Sequence, residues 1–219
     1  MAMSSSVNAK TPLHIGVIVF DGVVQQDFVG VTSYLEQLPT VCDQPVKFST
    51  ISLTSGPLRS GNPLGFGMPL YATHGFEAVT EHIDILAIPG GSPGRLVLQQ
   101  HDAFVKFLKR VAEDATYVLT VCTGSAILAT TGLLDGRRAT TNKMAYQGVV
   151  EAHPTVNWVH KARWVQDGKI WTSSGVTAGM DMAHAFVAAV YGEDTAVTMA
   201  RYMENVPNTD ATDDPFATV

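Results

Sequence analysis

The chain has 219 residues, 46% hydrophobic and 16% charged, enough for one well-buried domain and short for two. Fourteen Lys and Arg against twenty Asp and Glu leave a formal charge of -6, so no basic field exists to hold nucleic acid or an anionic membrane surface. No apolar run approaches the roughly 18 to 20 residues of a bilayer-spanning helix, and Cys42 and Cys122 form neither a disulfide framework nor a CxxC pattern, so a soluble, cytoplasmic protein is expected.

Residues 1–12 carry one Lys and no apolar core of a secretory signal, and are expected to be a loose tail. The first strand is predicted over His14–Phe20, followed by a helix over Asp27–Leu38 and a strand over Val46–Leu53. Thr54–Gly75 then breaks the rhythm with five Gly and three Pro, and reads as a short hairpin excursion or an ordered loop. A strand over Ile83–Ile88, a helix over Arg95–Ala112 and a strand over Tyr117–Val121 resume it. Helices over Ser125–Thr131 and Met144–Glu151, a strand over Ile170–Ser173 and a helix over Gly179–Tyr191 complete the pattern. Strands almost continuous in Val, Ile and Leu imply burial on both faces, so the expected fold is one α/β domain, residues 13–203, with a mostly parallel sheet covered by helices on both sides. Residues 204–219, acidic and Pro-bearing, are expected to leave the core as a tail or a partner-wrapping arm.

Cys122, in TVCTGSAIL, follows an apolar strand and precedes a helix. At such a turn a thiol points out of the carboxyl edge of the sheet, and the free N–H groups of the new helix favour its thiolate. The competing reading is a buried structural cysteine. Gly90 and Gly91, in IPGGSPG, end another buried strand. Their amides, with that of Thr123, are candidates for an oxyanion hole beside Cys122, although Gly is also common in such turns for steric reasons alone. Asp27 either caps its helix or, among Val23, Val24, Phe28 and Val31, is a carboxyl of raised pKa able to donate a proton.

The residue after the cysteine is Thr123 and not His, and none of the seven histidines stands where sequence pairs it with Cys122. HExxH, CxxC, GxGxxG and GxxxxGK[ST] in their proper contexts are absent, so neither metal nor nucleotide cofactor is expected.

In order, an acidic residue after the first strand, IPGG, VCTGSAILATTGLLDGRRATT and SSGVTAGMD resemble the ThiJ/PfpI superfamily from about Pro12 to Tyr202. Within it, the cysteine-threonine pair and QQDFVG are most similar to the isocyanide (isonitrile) hydratase branch, and to the ligand-binding domain of AraC-type regulators without their helix-turn-helix domain. The resemblance implies a flavodoxin-like sandwich, usually a homodimer, with Cys122 as nucleophile, Asp27 as its acidic partner, Thr123 as a contact and Gly90 and Gly91 as the amide-bearing turn. It also places Val176, Thr177 and Ala178 in the pocket wall. Where the hydratases and regulators read ATTHW, this chain has Asn142, an amide that cannot shuttle a proton near neutral pH. The turn after IPGG differs as well, with Ser92, Pro93, Gly94 and Arg95.

The expected function is cofactor-independent hydration of a small isocyanide to an N-substituted formamide through a thioimidate on Cys122. The alternatives are glyoxalase-like action on methylglyoxal and a non-catalytic redox sensor with an exposed, oxidisable Cys122.

Overall fold

The computed structural model describes residues 10–61, 67–92 and 94–218. Most of the expected N-terminal tail, the middle of the Thr54–Gly75 excursion and Pro93 lie outside the described residues.

Strand β1 (Leu13–Ile18) is an interior strand of the seven-stranded sheet formed by the described residues and shows why it forms there. Ile15, Val17 and Val19 enter one hydrophobic core, while Ile18 and Phe20 enter the other, as the two-residue period of a strand requires. The same division recurs in β6 (Ile85–Ile88), where Ile85 and Ala87 face one layer and Leu86 and Ile88 the other. Each such Val, Ile, Leu or Phe side chain, fully buried, stabilises the fold by about 1.5–3 kcal/mol. Strand β2 (Val46–Ser52) pairs parallel with β1, and β6 pairs parallel with both β1 and β7 (Tyr117–Thr120). Strand β11 (Ile170–Ser173) continues the parallel set beside β7, and β10 (Trp164–Asp167) closes that edge antiparallel. The short β5 (His74–Gly75) forms the other edge.

One face is covered by α1 (Gln25–Leu35), α2 (Leu38–Cys42), α7 (Ala178–Tyr191) and α8 (Glu193–Tyr202), through Tyr34, Leu38, Phe186 and Met199. The opposite face is covered by α4 (Asp102–Asp114) and α5 (Gly124–Ala129), through Phe104, Leu108, Ile127 and Leu128. This is the expected single α/β domain with helices on both sides of a mostly parallel sheet. The excursion is a hairpin, β3 (Gly56–Arg59) antiparallel to β4 (Pro69–Ala72).

Two long helices expected from periodicity are interrupted. Beyond Leu35, Pro39 opens α2 at its first turn, where a missing N–H costs nothing. Between α3 (Gly94–Gln99) and α4, the His101 ring accepts the Phe104 N–H at 3.2 Å and so acts as the cap of a new helix. A parallel pair of short strands, β8 (Arg138–Ala139) and β9 (Asn157–Trp158), and the helix α6 (Tyr146–Ala152) follow α5 in the chain.

The expectation that residues 204–219 leave the core is corrected. The Asn208 N–H donates to Asp181 Oδ1 at 2.9 Å, the Arg163 N–H donates to the Ala211 carbonyl at 2.7 Å, and Asp214 is buried against Lys143. The acidic composition that suggests a solvated tail hides one carboxylate whose charge is neutralised inside the protein. No described helix is long and apolar enough to cross a membrane.

Candidate active site

Cys122 lies at the end of β7, two residues before α5, with φ of 58°. A non-glycine residue in this left-handed region holds about 1–3 kcal/mol of strain that its surroundings must enforce. They do so from three sides. The Cys122 N–H donates to the Ser174 carbonyl at 3.0 Å, and the Cys122 carbonyl accepts the Thr141 hydroxyl at 3.0 Å and the Ser125 hydroxyl at 3.2 Å. Gly124 lets the new helix pass under β6, because a Cβ there would lie 2.0 Å from the Ile88 carbonyl oxygen. The sharp strand-to-helix turn expected from the sequence is therefore present.

The electrostatics differ from expectation. Cys122 is only 6% exposed, and burial, then the charge of Asp27, push its thiol up to about 12. Three donors oppose that shift: the Thr123 amide, the Val176 amide and the Asn142 side-chain amide. Burial wins, so the resting sulfur is a thiol and not the thiolate that a helix N-terminus alone would favour. The premise of an exposed, easily oxidised Cys122 is corrected for the same reason.

Asp27, the third residue of α1, is fully buried. Its Oδ2 accepts the Gly90 N–H at 2.8 Å, and its Oδ1 is buried without a hydrogen-bond partner among the described residues. Burial pushes the carboxyl up to about 6, and the Gly90 amide and the Cys122 thiol pull it part of the way back. The raised value expected from its apolar neighbours is present, and the structure brings Asp27 and Cys122 together. At neutral pH the pair is a carboxylate facing a thiol.

Gly90 and Gly91 do not offer a vacant oxyanion hole. The Gly90 amide is taken by Asp27, and the Gly91 amide donates to Thr123 Oγ1 at 3.2 Å. A Cβ on Gly90 would lie 2.6 Å from Thr123 Oγ1 and 3.0 Å from Asp27 Oδ2. The turn is glycine because it is the spacer that holds acid and elbow against each other.

Asn142 stands where the family motif carries His. Its Oδ1 accepts the Ala145 N–H at 3.1 Å, which leaves the NH2 end to face the sulfur. Val176 has φ of 39°, an outlier for a β-branched residue, and its amide also faces the sulfur. Asn142, Val176 and Thr177 line one cavity of about 240 Å³ with Met144, Gly175 and Phe216. Ala178, expected in the same wall, is fully buried.

Sequence reasoning missed Thr141, Ser125 and Ser174, which clamp the elbow, and it named Arg95 only as a departure in a turn. The Arg95 Nε is buried without a partner among the described residues, and its guanidinium lies close enough to Cys122 to feel a sulfur anion. Of the histidines, His14 is tied to Ser49 and the His82 carbonyl, His82 to Asp114, and His101 to its helix. Among the described residues, no cluster of three or more His, Cys, Asp or Glu could hold a metal.

The DJ-1/PfpI family model matches residues 14–189. Among curated proteins, an isonitrile hydratase of Pseudomonas putida is 34% identical over 196 residues, 89% of this chain and 79% of that protein. The transcriptional regulator CdhR of Pseudomonas aeruginosa is 29% identical over 154 residues, 70% of this chain and 44% of the regulator. Among solved structures, a ThiJ/PfpI family protein from Pseudomonas syringae superposes with a TM-score of 0.76 at 25% identity, covering 95% of this chain and 82% of that one. The DJ-1beta of Drosophila melanogaster shares the fold, with a TM-score of 0.75 at 15% identity over 90% of this chain and all of its own.

Proposed function

The chain belongs to the DJ-1/PfpI family, and within that family we propose that it hydrates an isocyanide to an N-substituted formamide, with Cys122 as the nucleophile. The observation that carries this reading is the buried Asp27 carboxyl, pushed up to about 6, facing the thiol of Cys122. The terminal carbon of an isocyanide accepts a nucleophile and becomes basic as it does so. It therefore needs a proton moved from sulfur to carbon, and a carboxyl that titrates near neutrality can receive it and give it up again.

Asp27 takes the thiol proton while sulfur bonds to the isocyanide carbon, and the resulting carbon lone pair takes that proton from Asp27, leaving a neutral thioimidate on Cys122. Asp27, again a carboxylate, takes a proton from water as the oxygen bonds to the same carbon, and returns it to nitrogen. The C–S bond of the tetrahedral adduct then breaks, the hydroxyl proton passes through Asp27 to sulfur, and the formamide leaves. The Thr123, Val176 and Asn142 donors stabilise sulfur as it departs with the bonding electron pair. Asn142 acts here only as a donor, which suits a route in which Asp27 alone moves protons. The P. putida relative, named for isonitrile hydration, supports the same reading.

The test is formamide formation from cyclohexyl isocyanide, followed by chromatography and mass spectrometry. Cys122→Ala is expected to fall to the uncatalysed rate, and turnover equal to the wild type would overturn the assignment.

A further inference from the structure

Residues 204–218 do more than lie on the surface, because three anchors bring them to a cavity that Cys122 does not itself line but whose wall includes Asn142 and Val176, the two residues whose amides face its sulfur. The first is Asn208, whose N–H donates to Asp181 Oδ1. Asp181 is itself paired with Arg163 at 2.7 Å, and Arg163 donates to the hydroxyl of Thr177 in the pocket wall. The second is the Ala211 carbonyl, which accepts the Arg163 amide. The third is Asp214, whose Oδ2 lies 3.4 Å from Lys143 Nζ, with both side chains almost wholly buried. The other oxygen of Asp214 accepts the Phe216 N–H at 3.1 Å. The ion pair thus fixes the backbone of Phe216 opposite Lys143, the neighbour in sequence of the Asn142 that faces the sulfur.

Phe216 and Met144 line the same cavity as Asn142 and Val176, yet they are 56% and 83% exposed. Large apolar side chains held at the rim of a pocket, in water, gain by being covered by an apolar ligand. Among the described residues, the one cation that lines this cavity is already engaged: Lys143 Nζ donates to Thr140 Oγ1 at 2.8 Å, to the Ala162 carbonyl at 3.0 Å and to the Thr141 carbonyl at 3.2 Å, besides facing Asp214. The described lining therefore offers no free charge to an ionic substituent, and about 240 Å³ is far more room than a one- or two-carbon group fills.

We propose that Phe216, held by Asp214 on the C-terminal segment, is the specificity-determining wall of the cavity beside Cys122, selecting isocyanides with a neutral ring or branched alkyl substituent over short-chain ones. The substrate class rests on the isocyanide reading above; the wall itself does not. It gives this chain its own substrate filter on a segment that lies beyond the residues matched by the family model, 14–189.

Two measurements separate the wall from the reaction. The first compares kcat/KM for cyclohexyl and ethyl isocyanide in the wild type, Phe216→Ala and Phe216→Leu. The wild type is expected to favour the ring, Phe216→Ala to lose about tenfold or more of that preference through KM, and Phe216→Leu to recover part of it. The second measures alkylation of Cys122 by N-cyclohexylmaleimide and N-ethylmaleimide, located by intact mass and peptide mapping, which needs no turnover. Its rate ratio is expected to fall in Phe216→Ala and in Asp214→Asn. Phe216 is exposed enough that its removal leaves the fold intact, so Phe216→Ala alone decides the outcome if Asp214→Asn unfolds. A maleimide ratio that responds to Phe216 without any isocyanide turnover would end the hydratase reading and keep the wall. Ratios unchanged by Phe216→Ala in both assays would overturn the wall.

Discussion

Asp27 has to be ionised to accept the thiol proton, yet it is held where ionisation is unfavourable. Its pKa rises from 3.8 to about 6, and each unit is worth about 1.4 kcal/mol. Because the folded value lies above the unfolded one, the protein favours the protonated carboxyl. That contribution is fully present below the unfolded value and is lost as pH rises through about 6. At neutral pH the ionised side chain therefore costs up to about 3 kcal/mol. Asp27→Asn, which keeps an acceptor for the Gly90 amide, is expected to raise the urea midpoint at pH 7.5 and to lose most of that gain at pH 4, while abolishing turnover. An equal effect at both pH values would show that ionisation of Asp27 is not what destabilises the wild type. In the wild type, kcat/KM should fall as pH drops through about 6, with no second rise near the ordinary thiol range, since Cys122 titrates at about 12. The direction of the Asp27 shift is legible in its apolar neighbours Val23, Val24 and Phe28, which are local. The protonation of Cys122 is not, because it depends on burial by strands and loops far along the chain. The glycines of IPGG are legible as a turn at the site but not in their task, since the partners of their amides come from α1 and from the elbow.

At the scale of elements, the site is two strained turns set against each other: the one after β7 that carries Cys122 and the one before α7 that carries Val176. Both strains are sustained by packing, and Gly124 is the point where packing leaves no slack. Gly124→Ala would place a methyl carbon 2.0 Å from a carbonyl oxygen of β6, so backbone must move and not merely a side chain. The expected result is a loss of several kcal/mol in urea denaturation, with greatly weakened turnover, against the stabilisation of about 1 kcal/mol that Gly→Ala gives in an unconstrained helix. Stability equal to the wild type would mean that α5 does not approach β6 as described. The strands that frame these turns are readable because burial on both faces makes them runs of Val, Ile and Leu. The antiparallel β10 is hidden in the sequence because it is a four-residue edge strand with only two buried residues, Trp164 and Val165, before the exposed Gln166 and the half-buried Asp167. Helix α8, EDTAVTMARY, is equally hard to read because small and polar residues dilute its apolar stripe, whose buried residues Ala196, Met199 and Ala200 lie on a helix that packs against α7 and α2.

For the whole molecule, the C-terminal segment connects stability with selectivity through one buried ion pair. Composition could not reveal this, because an acidic, Pro-bearing end reads as solvated unless the partner of its carboxylate is known, and Lys143 is 71 positions away. Two charges buried together are weak evidence of net stabilisation, but removal of one leaves the other uncompensated at a cost of about 3–5 kcal/mol. Lys143→Met alone should therefore destabilise strongly, and Asp214→Leu alone should do likewise. The double variant should recover most of the loss, because well-packed apolar groups of similar size can replace a buried pair without penalty. Selectivity should not recover with it. Leucine at position 214 has no oxygen to accept the Phe216 amide, so the wall remains unfixed even when the fold is restored. Urea denaturation and the cyclohexyl-to-ethyl maleimide ratio, measured on all four proteins, should thus part company in the double variant. If the ratio returns together with stability, burial of the segment alone positions Phe216 and the Asp214 hydrogen bond is dispensable.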